Sequence, residues 1–171
     1  VRESLKAIPE QTSYYKCMAD VIRWYDENPT NWKATWKLIQ DKWGTAENCP
    51  DGLYSEFNID AKINSAYVIM GLLYGNGDYT QTIHVSTRCG QDSDCNPSTA
   101  AGILGTLIGY ENIPLTWKNC LPPVENRNFA HTSISLKKAY DLSFKHALEV
   151  ISRNGGKVAK DKVRIKQQPV T

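Results

Sequence analysis

Several features that would narrow the function are missing from this chain of 171 residues. No apolar run approaches the roughly 20 residues that a membrane-spanning helix needs, so we expect no membrane partner. There is no internal repeat and no low-complexity segment. The five cysteines never form a Cys-x-x-Cys spacing, which argues against a structural zinc site, and their odd number argues against a complete disulfide framework. A single disulfide, for instance between Cys49 and Cys120, stays open.

The chain also lacks a large net charge, since its formal charge is only +2. The basic excess is concentrated in residues 155–171, where Asp161 is the sole acidic residue. The basic residues of this tail are Lys157, Lys160, Lys162, Arg164 and Lys166. Because no aromatic residue is interleaved with them, we interpret the tail as a solvated arm and predict no nucleic-acid partner.

What the sequence does contain is the composition of one globular domain, with 41% hydrophobic and 22% charged residues. Hydrophobic residues recur at helical spacing, which predicts an all-α fold. The predicted helices cover residues 11–27, 31–43, 59–74, 79–89, 97–109 and 133–154. We therefore predict a helical domain over residues 1–154, followed by a basic tail over 155–171 in which residues 162–168 form a short strand or a frayed end.

Side chains at several helix starts and along one helix face support this assignment. Thr12 or Ser13 can cap the first helix, and Asp78 can cap the fourth. The second helix carries an aromatic-rich face, which we interpret as core rather than as a stacking platform. That face consists of Trp32, Trp36, Ile39 and Trp43. We predict a long loop over residues 45–58, which would make them a candidate rim for a functional site.

The clearest chemistry lies in residues 91–109. Asp92 and Asp94 stand just before a helix start, where Asn96 can cap the first turn and Pro97 suits the first helical position. Two carboxylates in one loop offer the oxygen ligands that Mg²⁺ and Mn²⁺ prefer. Acidic residues are also favoured at helix starts by the helix dipole. On residue types alone, a metal site and a pair of helix caps both stay open.

The predicted helix after this loop contains Gly102, Gly105 and Gly109. Glycine costs roughly 1 kcal/mol relative to alanine in a helix interior. Three glycines within eight positions therefore predict that a neighbouring backbone or a ligand lies close to this helix.

The Asp92-Ser93-Asp94-Cys95-Asn96 loop and the helix after it resemble the second metal motif of the ADP-ribosylglycohydrolase (DraG-like) family. The resemblance is to a bacterial branch that reads Asp-x-Asp-Cys-Asn. Three earlier segments are similar to that branch, at residues 4–12 (SLKAIPEQT), 28–32 (NPTNW) and 75–79 (GNGDY). The resemblance covers about residues 1–118 and implies an all-α, orthogonal helical domain.

This resemblance implies two Mg²⁺ or Mn²⁺ ions, held by a Thr-Asp-Asp group from the first half of the family's chain and an Asp-x-Asp-Thr group from the second. By position, Asp92 and Asp94 would be metal ligands. The implied partner is ADP-ribose or an ADP-ribosylated protein or small molecule, from which ADP-ribose is cleaved. Cysteine stands where the family pattern has threonine, so a third ligand or a substrate contact is expected from Cys95, Asn96, Ser98 or Thr99.

No Thr-Asp-Asp group precedes Asp92 in this chain. We therefore expect the chain to correspond to the carboxy-terminal half of the family's domain. Its partner would then be an amino-terminal half, supplied by the same protein or by a separate chain. We also expect weak metal binding and poor catalysis by this chain alone.

Other functions compete with this one. A non-catalytic helical interaction module would keep the fold without activity, and a hydrolase of a nucleoside diphosphate sugar would use the same metals. The residues Asp92-x-Asp94-x-Asn96 begin like an EF-hand loop, but Pro97 replaces its glycine and Ile103 its glutamate. A cysteine nucleophile has no identifiable base partner.

Overall fold

A computed structural model of the protein describes residues 1–53, 55–56 and 59–167. These residues form seven α-helices, two short 3₁₀ helices and one antiparallel pair of strands, which confirms the all-α fold. The α-helices are α1 (Arg2–Leu5), α2 (Ser13–Glu27), α3 (Trp32–Trp43), α4 (Ala61–Gly75), α5 (Tyr79–Arg88), α6 (Cys95–Ile108) and α7 (Leu136–Arg153). The 3₁₀ helices are Tyr110–Asn112 and Leu115–Trp117, and the strands are β1 (Lys157–Val158) and β2 (Val163–Arg164).

The chain divides into two compact units, Val1–Pro114 and Leu115–Thr171. Unit 1 contains α1 to α6, and unit 2 contains α7 and the two strands. In unit 2, Lys157 pairs with Arg164 and Val158 with Val163, so the alternation predicted for residues 162–168 does include a strand. Residue 168 lies outside the described residues. The assignment of residues 1–154 to one domain stays a prediction.

Side-chain caps explain where several helices begin. The Thr12 hydroxyl accepts a hydrogen bond from the Tyr15 N–H at 3.1 Å, and Asn31 Oδ1 accepts one from the Ala34 N–H at 3.2 Å. Asp78 Oδ1 accepts one from the Gln81 N–H at 2.6 Å, which confirms its predicted role as a cap. Each bond satisfies a backbone donor that has no partner inside the helix.

Helix α4 lies at the centre of unit 1 and contacts α2, α3, α5 and α6. Its side chains Ile63, Ala66, Tyr67 and Met70 are completely buried, as expected for a helix that is apolar on most faces. On α3, the core interpretation holds for Ile39 and Trp43, which are buried. Trp32 and Trp36 of the same face are only partly buried.

The closest helix contact is between α4 and α5 and does not involve α6. A Cβ atom on Gly75 would lie 1.9 Å from Thr82 Oγ1, and one on Gly71 would lie 2.8 Å from Ser86 Cβ. In contrast, a Cβ on Gly102 or Gly109 would meet no described atom within 4 Å. The neighbouring backbone predicted for the α6 glycines is therefore not found at these two positions in the described part of the chain, and at Gly105 the neighbours are side-chain atoms only.

Two further expectations concern membranes and disulfides. Among the described residues, none of the helices combines the length and the hydropathy that a membrane span requires. All five cysteines are among the described residues, and each is a free thiol.

Candidate metal centre

The acidic loop connects α5 to α6 through two residues with positive φ, Gly90 (93°) and Gln91 (51°). Helix α6 then begins at Cys95, two residues earlier than predicted. The Cys95 N–H donates to Asp94 Oδ1 at 2.8 Å and to Asp92 Oδ1 at 3.2 Å. The prediction that Asn96 caps this helix is therefore wrong. Charged carboxylate oxygens accept the first free N–H, because they are stronger acceptors than an amide oxygen.

Asn64 of α4 holds the acidic loop in place. Its Oδ1 accepts a hydrogen bond from Asn96 Nδ2 at 2.8 Å and another from the Asp92 N–H at 3.2 Å. Both asparagines are buried, with exposed fractions of 8% for Asn64 and 4% for Asn96. Asn64 is not among the site residues predicted from the sequence, although an amide inside a largely apolar helix is a signal that a buried polar partner is needed.

The structure brings together three of the predicted site residues. Ligand atoms of Asp92, Asp94 and Cys95 all lie within 4.8 Å of one another. The loop borders an open cleft of about 530 Å³, lined by Ile59, Gln91, Asp92, Ser93 and Asp94. The two carboxylates therefore face a cleft that a ligand can enter.

The other candidates are placed differently. The side-chain amide of Asn96 is occupied by its contact with Asn64. Ser98 and Thr99 are exposed in the first turns of α6, and Thr99 lines a separate, mainly apolar cavity together with Ile69 and Ile103.

The carboxylates control protonation in the cluster. The hydrogen bond with Asp92 and the N–H of Cys95 together hold the pKa of Asp94 below its ordinary value. The hydrogen bond to Asp92 and its negative charge raise the pKa of the Cys95 thiol. Without a cation, Cys95 is therefore a neutral thiol at neutral pH, and the loop presents oxygen atoms as its charged groups.

These donors fit a hard divalent cation in part. Two carboxylates are suitable ligands for Mg²⁺ or Mn²⁺, whereas a protonated thiol is not. Gln91 also lines the cleft, and its Oε1 is buried without a hydrogen-bond partner in the described part of the chain.

Comparison with known proteins agrees with the all-α fold. The family model described as ADP-ribosylglycohydrolase matches residues 1–143, which include the whole of unit 1. A search of curated proteins and a search of solved structures returned no match. The assignment to the Asp-x-Asp-Cys-Asn branch stays a prediction. The chain belongs to the ADP-ribosylglycohydrolase family.

Proposed function

We propose that this chain provides one ligand group of a divalent-metal-dependent glycohydrolase that releases ADP-ribose from a modified protein or small molecule. Asp92 and Asp94 are the proposed ligands of Mg²⁺ or Mn²⁺. The observation that carries the proposal is the clustering of both carboxylates within 4.8 Å at the border of an open cleft, in a chain of this family.

The close approach of two carboxylates supports a cation site because like charges at this separation repel one another. The structure holds them together through the Cys95 N–H and through the contacts of Asn64 with the loop. A loop fixed in this way places two oxygen ligands with little loss of conformational freedom on binding.

In this proposal the bound ions would orient ADP-ribose and supply an activated water for cleavage at the ribose C1″ atom. Asp92 and Asp94 provide the negative charge that holds the ions. Asn64 and Asn96 position the loop from the buried side. The remaining ligands would come from a Thr-Asp-Asp segment, which these 171 residues do not contain.

Titration calorimetry with Mn²⁺ tests the proposal. We expect weak binding to the wild-type chain, with a dissociation constant on the order of 10⁻⁴ to 10⁻³ M, because only part of a ligand set is present. Asp92→Asn and Asp94→Asn should each weaken binding about tenfold or more.

Asp26→Asn is the matched control, since Asp26 is an exposed carboxylate on α2 that pairs with Arg2 at 2.5 Å. It should leave the Mn²⁺ affinity unchanged. Tight Mn²⁺ binding that survives Asp94→Asn would rule out the proposed ligands. The proposed ligands would also be ruled out if the wild type did not bind Mn²⁺ at 10 mM, which is about ten times the weakest dissociation constant that we expect.

A non-catalytic interaction module is the second candidate, and one observation favours it. Helix α7 has no buried residue, and it exposes Tyr140, Phe144 and Val150 at 41%, 67% and 56%. Exposed aromatic residues of this kind are typical of a binding surface. Retained binding of Mn²⁺ at Asp92 and Asp94 would favour the glycohydrolase over this module.

A further inference from the structure

A second cavity of unit 1 combines two indole rings with three cationic side chains. Its volume is about 270 Å³, and its lining consists of Trp32, Lys33, Trp36 and Lys37 of α3 and Arg88 at the end of α5. None of these residues belongs to the acidic cluster of Asp92 and Asp94.

The two indoles are held in place by the core. Trp36 Nε1 donates a hydrogen bond to the Cys89 carbonyl oxygen at 2.8 Å, which fixes the ring against the end of α5. Trp32 and Trp36 both pack against buried core residues while remaining partly exposed. Rings held in this way lose little freedom when a flat ligand stacks on them.

The cations are incompletely neutralised. Lys37 Nζ contacts both carboxylate oxygens of Asp41 at 2.8 Å. In the described part of the chain, no carboxylate lies within 4.0 Å of Lys33 or Arg88. Lys33 Nζ instead lies 6.0 Å from the centre of the Trp32 ring. The cavity therefore carries an excess of positive charge that an anionic ligand would neutralise.

Stacking surfaces and unpaired cations at one cavity suit a ligand that has both a flat ring and phosphates. The volume is slightly below the roughly 300 Å³ at which pockets for drug-sized ligands begin, so it suits one base with its first phosphates. We propose that this cavity binds a nucleotide, with the base against Trp32 or Trp36 and the phosphates at Lys33 and Arg88.

A free nucleotide fits these observations better than a nucleic-acid strand does. Strand-binding proteins use a basic groove that follows several successive phosphates. Here the cations border one cavity, and Asp41 lies beside Lys37. The proposal is independent of the metal site, because none of its residues is a proposed metal ligand.

Calorimetry with ADP, carried out in EDTA on the full chain, tests the proposal apart from any metal. We expect ADP to bind, and adenosine and inorganic pyrophosphate each to bind at least about tenfold more weakly, because each lacks one half of the contacts. Trp32→Ala should weaken ADP binding about 5- to 100-fold through lost stacking. Lys33→Ala and Arg88→Ala should each weaken it about tenfold.

Two variants control for indirect effects. Trp32→Phe keeps an aromatic ring and should retain most of the affinity for ADP. Lys16→Ala removes an exposed cation from α2 and should change the affinity less than about twofold. Thermal unfolding of each variant checks that it is folded. If Trp32→Ala unfolds, Lys33→Ala and Arg88→Ala still test the proposal, because Lys33 and Arg88 are exposed.

Several outcomes would overturn the proposal. One is that ADP does not bind at millimolar concentration. Another is that Trp32→Ala and Arg88→Ala both leave the affinity for ADP unchanged. Binding of a short oligonucleotide more than tenfold tighter than ADP would instead indicate a nucleic-acid site. Loss of ADP binding in Asp94→Asn but not in Arg88→Ala would place the nucleotide at the acidic loop.

Discussion

Helices α2 and α7 have similar amphipathic patterns and very different burial. Each begins at a hydroxyl cap, Thr12 for α2 and Ser135 for α7, and each places its apolar residues on one face. Six of the fifteen residues of α2 are buried, whereas none of the eighteen residues of α7 is, and all of both helices is described. The hydrophobic period therefore specifies a helix, but it does not specify what covers the apolar face.

The same contrast holds between the two units. Unit 1 contains all of the buried hydrophobic residues found in the described ranges, from Cys17 to Leu104. In unit 2, Ser135 is the one buried residue among those described. Since burial of apolar area is the main stabilising contribution to folding, we expect unit 1 to account for most of the folding free energy.

The largest effect that we predict tests this contrast with the same substitution in both units. Ile63→Ala, at a completely buried position of α4, should lower the free energy of unfolding by about 2–5 kcal/mol, because it leaves a cavity in the core. Ile165→Ala, at a position that is 74% exposed in unit 2, should change it by less than about 0.5 kcal/mol. Urea unfolding followed by circular dichroism measures both values.

If the two variants lose equal stability, the contrast between the units is wrong. Such a result would mean that Ile165 is buried in solution by a contact that the structure of unit 2 does not contain. The slope of the urea transition provides a check, because it should be the same for both variants if they unfold the same surface.

A smaller effect distinguishes real crowding from a sequence pattern that only suggests it. Gly75→Ala would place a methyl group 1.9 Å from Thr82 Oγ1 and 2.8 Å from Thr82 Cα. We therefore expect it to lower the free energy of unfolding by about 1–3 kcal/mol. Gly102→Ala adds a methyl group at an exposed helical position with no described atom within 4 Å. We therefore expect it to raise the free energy of unfolding by about 0.5–1 kcal/mol. Thermal or urea unfolding gives the sign of each change. A destabilising Gly102→Ala would show that something packs on α6 after all.

The helices could be predicted from the sequence because their signals are local. The predicted bounds of α2 and α3 lie within two residues of the observed ones, since Thr12 and Asn31 are caps that act within one turn. The role of the α6 glycines could not be predicted in this way. A glycine at a close contact and one in open solvent look the same in sequence, and only packing separates Gly75 from Gly102.

The two carboxylates of the candidate site could be predicted from the sequence, but the asparagine that holds their loop in place could not. Asp92 and Asp94 are one residue apart, so sequence alone places them in the same loop. Asn64 lies 28 residues before Asp92, and its contact with the loop depends on how α4 packs against α6. The predicted start of α6 was wrong because two carboxylates and one amide compete for the same N–H groups. The sequence does not show which of these acceptors forms the hydrogen bond.

The smallest predicted effect compares two aspartates, one from each unit. The side chain of Asp20 in unit 1 is 12% exposed and accepts hydrogen bonds from Arg23 at 2.7 Å, Lys42 at 2.6 Å and Trp43 Nε1 at 2.9 Å. Because both cations are about half exposed, we expect Asp20→Asn to lower the free energy of unfolding by only about 1–2 kcal/mol at pH 7. Asp141→Asn on α7 removes an exposed pair with Lys137 and should cost less than about 0.5 kcal/mol.

The pH dependence of this difference identifies its cause. Burial acts to raise the pKa of Asp20, but the hydrogen bonds from Lys42, Arg23 and Trp43 outweigh it, and the pKa lies below its ordinary value of 3.8. A carboxylate whose pKa is lowered by folding stabilises the protein above its unfolded pKa and loses that contribution as the pH falls through its folded pKa. The stability difference between wild type and Asp20→Asn should therefore be constant from pH 5 to 7 and shrink below about pH 3.8. A difference that stays constant down to pH 2.5 would show that Asp20 contributes through packing, because a packing contribution does not depend on its charge.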